Sequence, residues 1–500
     1  MASAKSRSLL NKINHVVVVM LENRSFDHML GFLYADSKNQ SPHGKPFEGL
    51  TGNETVSDGK GRTVQVYKIQ ASDPYPYFMP GADPGEGYLN TNSQLFGTKT
   101  APTPIVPATN QGFVSNFSYT LGWESKLPNM VIPGTKPSMI MGMYTPQMLP
   151  VLSGLAKGYA VSDQWYASAP TETLPNRAFV CCATSQGFVS DDNIKTCSAP
   201  SIFTALGKKS ATWAVYGYDA PPLTRGSITD ITDAPEANFG EFPDFQSAVK
   251  AGKLANYVFL EPKWGKDGSS QHPNYDVSQG EQFLHDVYYT LYGSSVWPNT
   301  LLIITYDEHG GCYDHVSPPE NAVPPDNSAG EDGFDFKRFG LRVPAVLISP
   351  LIQSGTVYRS ASATPFDHTS ILSTLEARFG VSPLTKRDAA APSVGGVLTL
   401  SKARSDDPLE GVKVPSSAKK PAFPAGPSHL QQVLAESAMN LPVSDEPGNG
   451  HHVDTPHFKT GEDALTYARQ RYAKFAAMRS LQPEKPGTPP TKSRKAAAGR

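Results

Sequence analysis

The sequence predicts an α/β protein: a mostly parallel sheet with helices on both faces. Three observations lead there. Several short segments are apolar at consecutive positions, as in strands buried on both faces. Segments with helical spacing lie between several of them. Two of the strand-like runs end in polar, acidic pairs, Glu22-Asn23 and Asp307-Glu308.

Taken in order, His15–Leu21 is a β-branched apolar run, followed by Glu22-Asn23-Arg24-Ser25. Residues 26–33 then have helical spacing, with Asn23 or Ser25 as the expected cap. Residues 35–125 are rich in Gly, Pro, Asn and Thr and read as a long insertion or lid. Residues 149–157 read as a helix with Pro150 in its first turn and Gly158 as its stop, and 159–165 as extended. Further strands are expected at 212–216, Tyr257–Leu260, Thr300–Tyr306 and 343–348, with helices at 281–292 and 370–379. This divides the chain into a flexible N-terminus (1–12), a catalytic domain (13–401), a Pro/Ser/Lys-rich linker (402–429), a helical segment (430–481) and a disordered tail (482–500).

The balance of 44 Lys plus Arg against 46 Asp plus Glu lacks the basic footprint of a nucleic-acid binder. No run approaches the roughly 20 apolar residues of a spanning helix. No export signal is visible, so cytoplasmic residence is the default expectation. Cys181, Cys182, Cys197 and Cys312 form no C-x-x-C pair, and buried thiols are expected, with one disulfide through Cys197 as the alternative.

In a parallel sheet the carboxyl ends of the strands share one edge, where open α/β proteins bind ligands. Glu22, Asn23, Asp307 and Glu308 would converge there as hard oxygen donors for a divalent cation. Either pair alone is as readily a helix cap. A phosphoryl-transfer site also needs a nucleophile, and the stretch 171–177, TETLPNR, offers one. Pro175 in a first helical turn puts Thr173 just before the helix, where free backbone N–H groups can hold a phosphate. His272 lies in a polar loop and is placed to protonate a leaving oxygen. A lone threonine is usually a cap and a lone loop histidine usually exposed. His309, His315 and His368 are weaker candidates; Asp314 could orient the ring of His315.

Four stretches resemble the bacterial phospholipase C and acid phosphatase family, which includes the plant non-specific phospholipases C. They are VVVVMLENRSFDHMLGFL, TLPNR, TLLIITYDEHGGCYDHVSPP and GLRVPAVLISPLI. The resemblance implies an alkaline-phosphatase-like core, a metal and phosphate site at Glu22, Asn23, Asp307 and Glu308, and Thr173 as nucleophile. It implies that His272 assists phosphoryl transfer, while Asn176 and Arg177 complete the nucleophile motif. One departure stands out: Asp83-Pro84-Gly85-Glu86 occupies a place where the family often has D-P-G-H, so a histidine near the headgroup is absent. Exported relatives make secretion a second expectation for location.

The expected activity is metal-dependent hydrolysis of phosphoric esters through a phosphothreonine. Phospholipase C action on glycerophospholipids leads, with transient contact to a membrane surface. An acid phosphatase of small phosphomonoesters is the alternative, and a non-catalytic phosphate-binding protein the remote third. The metal's identity and the oligomeric state are left open.

Overall fold

The computed structural model describes residues 8–35, 41–191, 196–424, 426–443 and 457–481. The expected tail at 482–500 lies outside them. The core is an eight-stranded sheet: β1 (His15–Leu21), β2 (Ala160–Ser162), β3 (Trp213–Gly217), β4 (Phe239–Glu241), β5 (Tyr257–Leu260), β6 (Thr300–Tyr306), β7 (Ala345–Ile348) and β8 (Thr356–Val357). Their spatial order is β8-β2-β7-β6-β1-β5-β3-β4. All pairings are parallel except those of β7, which runs against β6 and β2.

Successive side chains of a strand point to opposite faces. Every residue from Val16 to Leu21 and from Thr300 to Tyr306 is buried, so both faces of the central strands are covered. That is why these strands read as unbroken apolar runs. Register pairs Val16 with both Tyr257 and Leu301, which brings the carboxyl ends of β1, β5 and β6 to one edge.

The helices used below are α1 (Phe26–Leu30), α2 (Tyr88–Phe96), α3 (Phe113–Glu124), α4 (Pro150–Gly158), α5 (Thr173–Cys182), α6 (Val277–Leu291), α7 (Thr369–Phe379), α8 (His429–Met439) and α9 (Gly461–Leu481). Ser25 caps α1 by accepting from His28 N at 3.2 Å. The segment expected to be irregular, 35–125, contains α2 and α3 and supplies most of a second apolar cluster, including Leu50, Leu95, Phe113 and Phe117. Residues 8–12 are not loose: Leu9 and Leu10 are buried in the main core. Residues 402–424 have no helix or strand, yet Leu409 is buried and Asp407 accepts from Tyr288 and Tyr289 of α6. Helices α8 and α9 pack together over Leu174, one residue past the start of α5. All four cysteines are buried free thiols.

Candidate active site

The chain turns sharply where β1 ends. Asn23 has φ 57°, a left-handed conformation that asparagine tolerates better than most residues. Its backbone N–H donates to Asp307 Oδ1 at 2.9 Å, tying the end of β1 to the end of β6. Gly310, at φ 61°, closes the same junction. A Cβ there would lie 2.0 Å from the Asn23 carbonyl oxygen, so no side chain fits without moving one of the two strand ends.

Thr173 is the first residue of α5, one position further in than the sequence suggested. Its hydroxyl donates to Asn23 Oδ1 at 3.2 Å. Thr171 instead donates to the carbonyl of Val189. Arg177 lies one turn beyond Thr173 on the same helix face. Its Nε and Nη2 approach Asp307 Oδ2 at 3.2 and 3.1 Å, and Nη2 reaches the carbonyls of Met20 and Leu21 at 3.4 and 3.5 Å. Nη1 is buried and has no hydrogen-bond partner among the described residues. Asn176 staples the preceding loop, accepting from Ala169 N and donating to the carbonyls of Ala169, Thr171 and Glu172. The helix N-terminus is less open than expected, because Asp191 Oδ1 accepts from Leu174 N at 2.7 Å.

Of the four expected metal ligands, Asp307 is the most committed: Oδ1 also accepts from Glu308 N at 2.8 Å, and Oδ2 faces Arg177. Glu22 Oε1 and Glu308 Oε1 are buried with no hydrogen-bond partner among the described residues. Burial, then the charge of Asp307, pushes both carboxyls well above the usual range; Arg177 opposes this for Glu22. Burial also raises Asp307, with Arg177 opposing. Two orphaned carboxylate oxygens and an amide oxygen at the sheet edge are hard donors suited to a divalent cation, which would take up that charge, although Glu22, Asp307 and Glu308 do not bring their ligand oxygens within 4.8 Å of one another.

Glu86 joins them. Asn23 Nδ2 donates to its carboxylate, and burial followed by the charge of Asp83 raises its pKa well above normal. Asp83, Glu86 and His272 place ligand atoms within 4.8 Å of one another. The signal for Glu86 was present in the departure from D-P-G-H, but its contact with Asn23 was not legible there. His272 Nδ1 is 3.0 Å from the carbonyl of Pro273, and Nε2 lies 3.8 Å from Asp83 Oδ2. Burial lowers His272 to about 4 and raises Asp83 to about 7. Arg24, also missed, is fully buried and donates to the carbonyls of Gln271, His272 and Met79, fixing the His272 loop. His429, the exposed first residue of α8, is close enough to act electrostatically on Asp83 and His272.

The weaker histidines separate. Trp165 Nε1, a donor only, faces His368 Nδ1 at 3.4 Å, so His368 donates through Nε2 to the Asp307 carbonyl at 2.6 Å. His309 sits between Gln94 Oε1 at 2.7 Å and Glu308 Oε2 at 3.1 Å. His315 belongs to another cluster. Its ring is oriented by Asp27, 2.6 Å away, and not by Asp314, whose carboxylate is bound to Arg342. Burial works against its charge, but Asp27 lifts it to about 9.

The family model described as "Phosphoesterase family" matches residues 13–382. The chain is 30% identical over 504 residues to non-specific phospholipase C3 of Arabidopsis thaliana, covering 95% of this chain and 90% of that protein. It is 36% identical over 410 residues to non-specific phospholipase C1 of the same plant, covering 78% and 71%. Phospholipase C A of Mycobacterium tuberculosis (strain ATCC 25618 / H37Rv) is 27% identical over 438 residues, covering 78% and 77%.

Proposed function

The chain belongs to the phosphoesterase family and is a phosphoric-ester hydrolase, and we propose that it acts as a phospholipase C on glycerophospholipids through a covalent phosphothreonine. The observation that carries the reading is the Thr173 hydroxyl held 3.2 Å from Asn23 Oδ1, on the same helix face as a buried guanidinium with an unused nitrogen. The names of the relatives supply the lipid substrate.

Glu22, Asn23, Asp307 and Glu308 would hold a divalent cation, which supplies positive charge against the phosphoryl oxygens when bound. The chain's own groups do the rest. Arg177 Nη1 donates to a second phosphoryl oxygen, and the amide end of α5 favours the negative charge there. Thr173 Oγ1 gives up its proton to solvent water and attacks phosphorus in line with the diacylglycerol oxygen, the P–O bond to that oxygen breaks, and the phosphorylated headgroup stays on Thr173. His272, protonated as the anionic substrate offsets its desolvation, passes a proton from Nε2 to the leaving oxygen. Neutral His272 then takes a proton from water, which attacks phosphorus; the P–O bond to Thr173 breaks, the threonine oxygen regains a proton from solvent, and the phosphorylated headgroup leaves. With charge spread over the equatorial oxygens, positioning and electrostatics supply most of the rate.

Thr173→Ala is expected to remove turnover of phosphatidylcholine while leaving the melting temperature unchanged, whereas Thr171→Ala retains turnover. Near-normal activity in Thr173→Ala would overturn the nucleophile assignment. Running the parent enzyme on phosphatidylcholine and on an aryl phosphomonoester, before and after chelation and cation re-addition, separates the substrate readings. Release of phosphate from the monoester without diacylglycerol would replace the lipase reading with a phosphatase.

A further inference from the structure

Among the described residues, the exposed large apolar side chains are Leu89, Ile105, Val106, Tyr119, Trp123, Leu127 and Tyr289. All but Tyr289 fall within or just beyond the insertion that carries Glu86 to the active site. Several of them adjoin. Leu89, Lys99 and Ile105 line one cavity of about 470 Å³. Lys99 Nζ lies 5.2 Å over the ring of Tyr119. Tyr119 and Trp123 are one turn apart on α3, at 60% and 47% exposure, and Leu127 follows at 48%. Soluble surfaces rarely gather this much apolar area without a partner.

The exposed charges on this segment are lysines, while the cavity beside Leu89 and Ile105 also presents Glu320, Asp332 and Asp335, with Lys337 and Arg338, from a later part of the chain. From Tyr88 to Lys136 the charged residues are Lys99, Glu124, Lys126 and Lys136. The three lysines are exposed and Glu124 is buried. Burial, then the charge of Asp83, lifts Glu124 to about 9, so it is neutral near pH 7 and subtracts nothing from the lysines.

We infer that the face formed by Leu89, Ile105, Val106, Tyr119, Trp123 and Leu127 docks on the surface of a phospholipid bilayer, with the three lysines meeting anionic headgroups. Indole and phenol rings suit the boundary between headgroups and acyl chains, and lysines are drawn to an anionic surface. The sequence from Glu86 to Tyr88 joins the face to the site, so docking would present the cleft to lipid headgroups. The inference rests on the lipid-substrate reading for the identity of the surface.

The test uses the full chain carrying Thr173→Ala, so that vesicles survive the measurement, sedimented with vesicles of phosphatidylcholine with and without phosphatidylserine. Binding is expected to both, stronger with the anionic lipid and weakened by salt. Adding Trp123→Ala and Leu127→Ala should lower the partition coefficient at least tenfold, and Lys99→Glu with Lys126→Glu should remove the preference for phosphatidylserine. With Thr173 intact, the Trp123/Leu127 variant should lose rate on vesicles and keep its rate on a soluble phosphocholine ester. Unchanged partitioning in that variant, with an unchanged melting temperature, overturns the docking face. Vesicle binding through this face without lipid cleavage by the parent enzyme would overturn the substrate reading and leave docking standing.

Discussion

Arg177 meets the Asp307 carboxylate and the carbonyls of Met20 and Leu21, with the ring of Trp264 4.9 Å away. Its planar fork serves these together, which an ammonium cannot do. Arg177→Met leaves Asp307 buried without its partner and should cost about 3–5 kcal/mol of stability in a denaturant titration. Arg177→Lys keeps the charge, so it should recover most of that stability while lowering turnover at least tenfold. Equal activity in the lysine variant would remove Arg177 Nη1 from phosphoryl binding. At this scale the sequence motif located Arg177 but offered no partner for it. The same limit applied to Thr171 against Thr173: spacing to Pro175 favoured one, and only the fold turns Thr171 toward Val189. Neighbours in sequence misled at His315, because its partner Asp27 comes from a helix 288 residues away.

Helix α4 begins without a side-chain cap of its own. Glu281 of α6 supplies one from outside, accepting from Val151 N at 2.7 Å and Leu152 N at 3.0 Å. Glu281→Ala strands both donors in the interior, and a loss of roughly 2 kcal/mol or more is expected from thermal unfolding. Burial lifts Glu281 to about 8 despite these two bonds. A raised acid stabilises fully below its unfolded value near 4.5 and loses that contribution as pH rises through about 8. The parent protein should therefore lose more stability than Glu281→Ala between pH 5 and 8; parallel curves would refute the shift. Elements were legible where packing imposed a plain pattern. β1 and β6 are buried on both faces, so nearly every position is apolar, with His15, Thr300 and Thr305 the exceptions. α2 was hidden because Asn90, Thr91, Asn92, Ser93 and Gln94 fill its middle, and the partners of Asn90, Asn92 and Gln94 (Asn116 of α3 and the carbonyl of Lys99) become apparent only in the fold.

Across the molecule, the edge of the sheet gathers Glu22, Glu86, Asp307 and Glu308, all held above their usual pKa by burial, to which neighbouring carboxylates add for Glu22, Glu86 and Glu308. Carboxyls raised in this way carry protons that a cation must displace. Binding of a divalent ion should release protons, visible by calorimetry in two buffers of different ionisation enthalpy, and should weaken as pH falls. The ion should also raise the melting temperature more at pH 8 than at pH 5. Binding without proton release would contradict the raised carboxyls. The parallel sheet and its acidic edge were readable from two strand ends; the contribution of Glu86 from the insertion required the fold. The junction at Gly310 has a further consequence. The Gly310 α-carbon packs against the Asn23 carbonyl and the Asn23 N–H donates to Asp307 Oδ1, so the ends of β1 and β6 are expected to open together. In native-state amide exchange, the N–H groups of Asn23, Asp307 and Glu308 should share one opening free energy and shift together on substitution at either end, as a single cooperative unit.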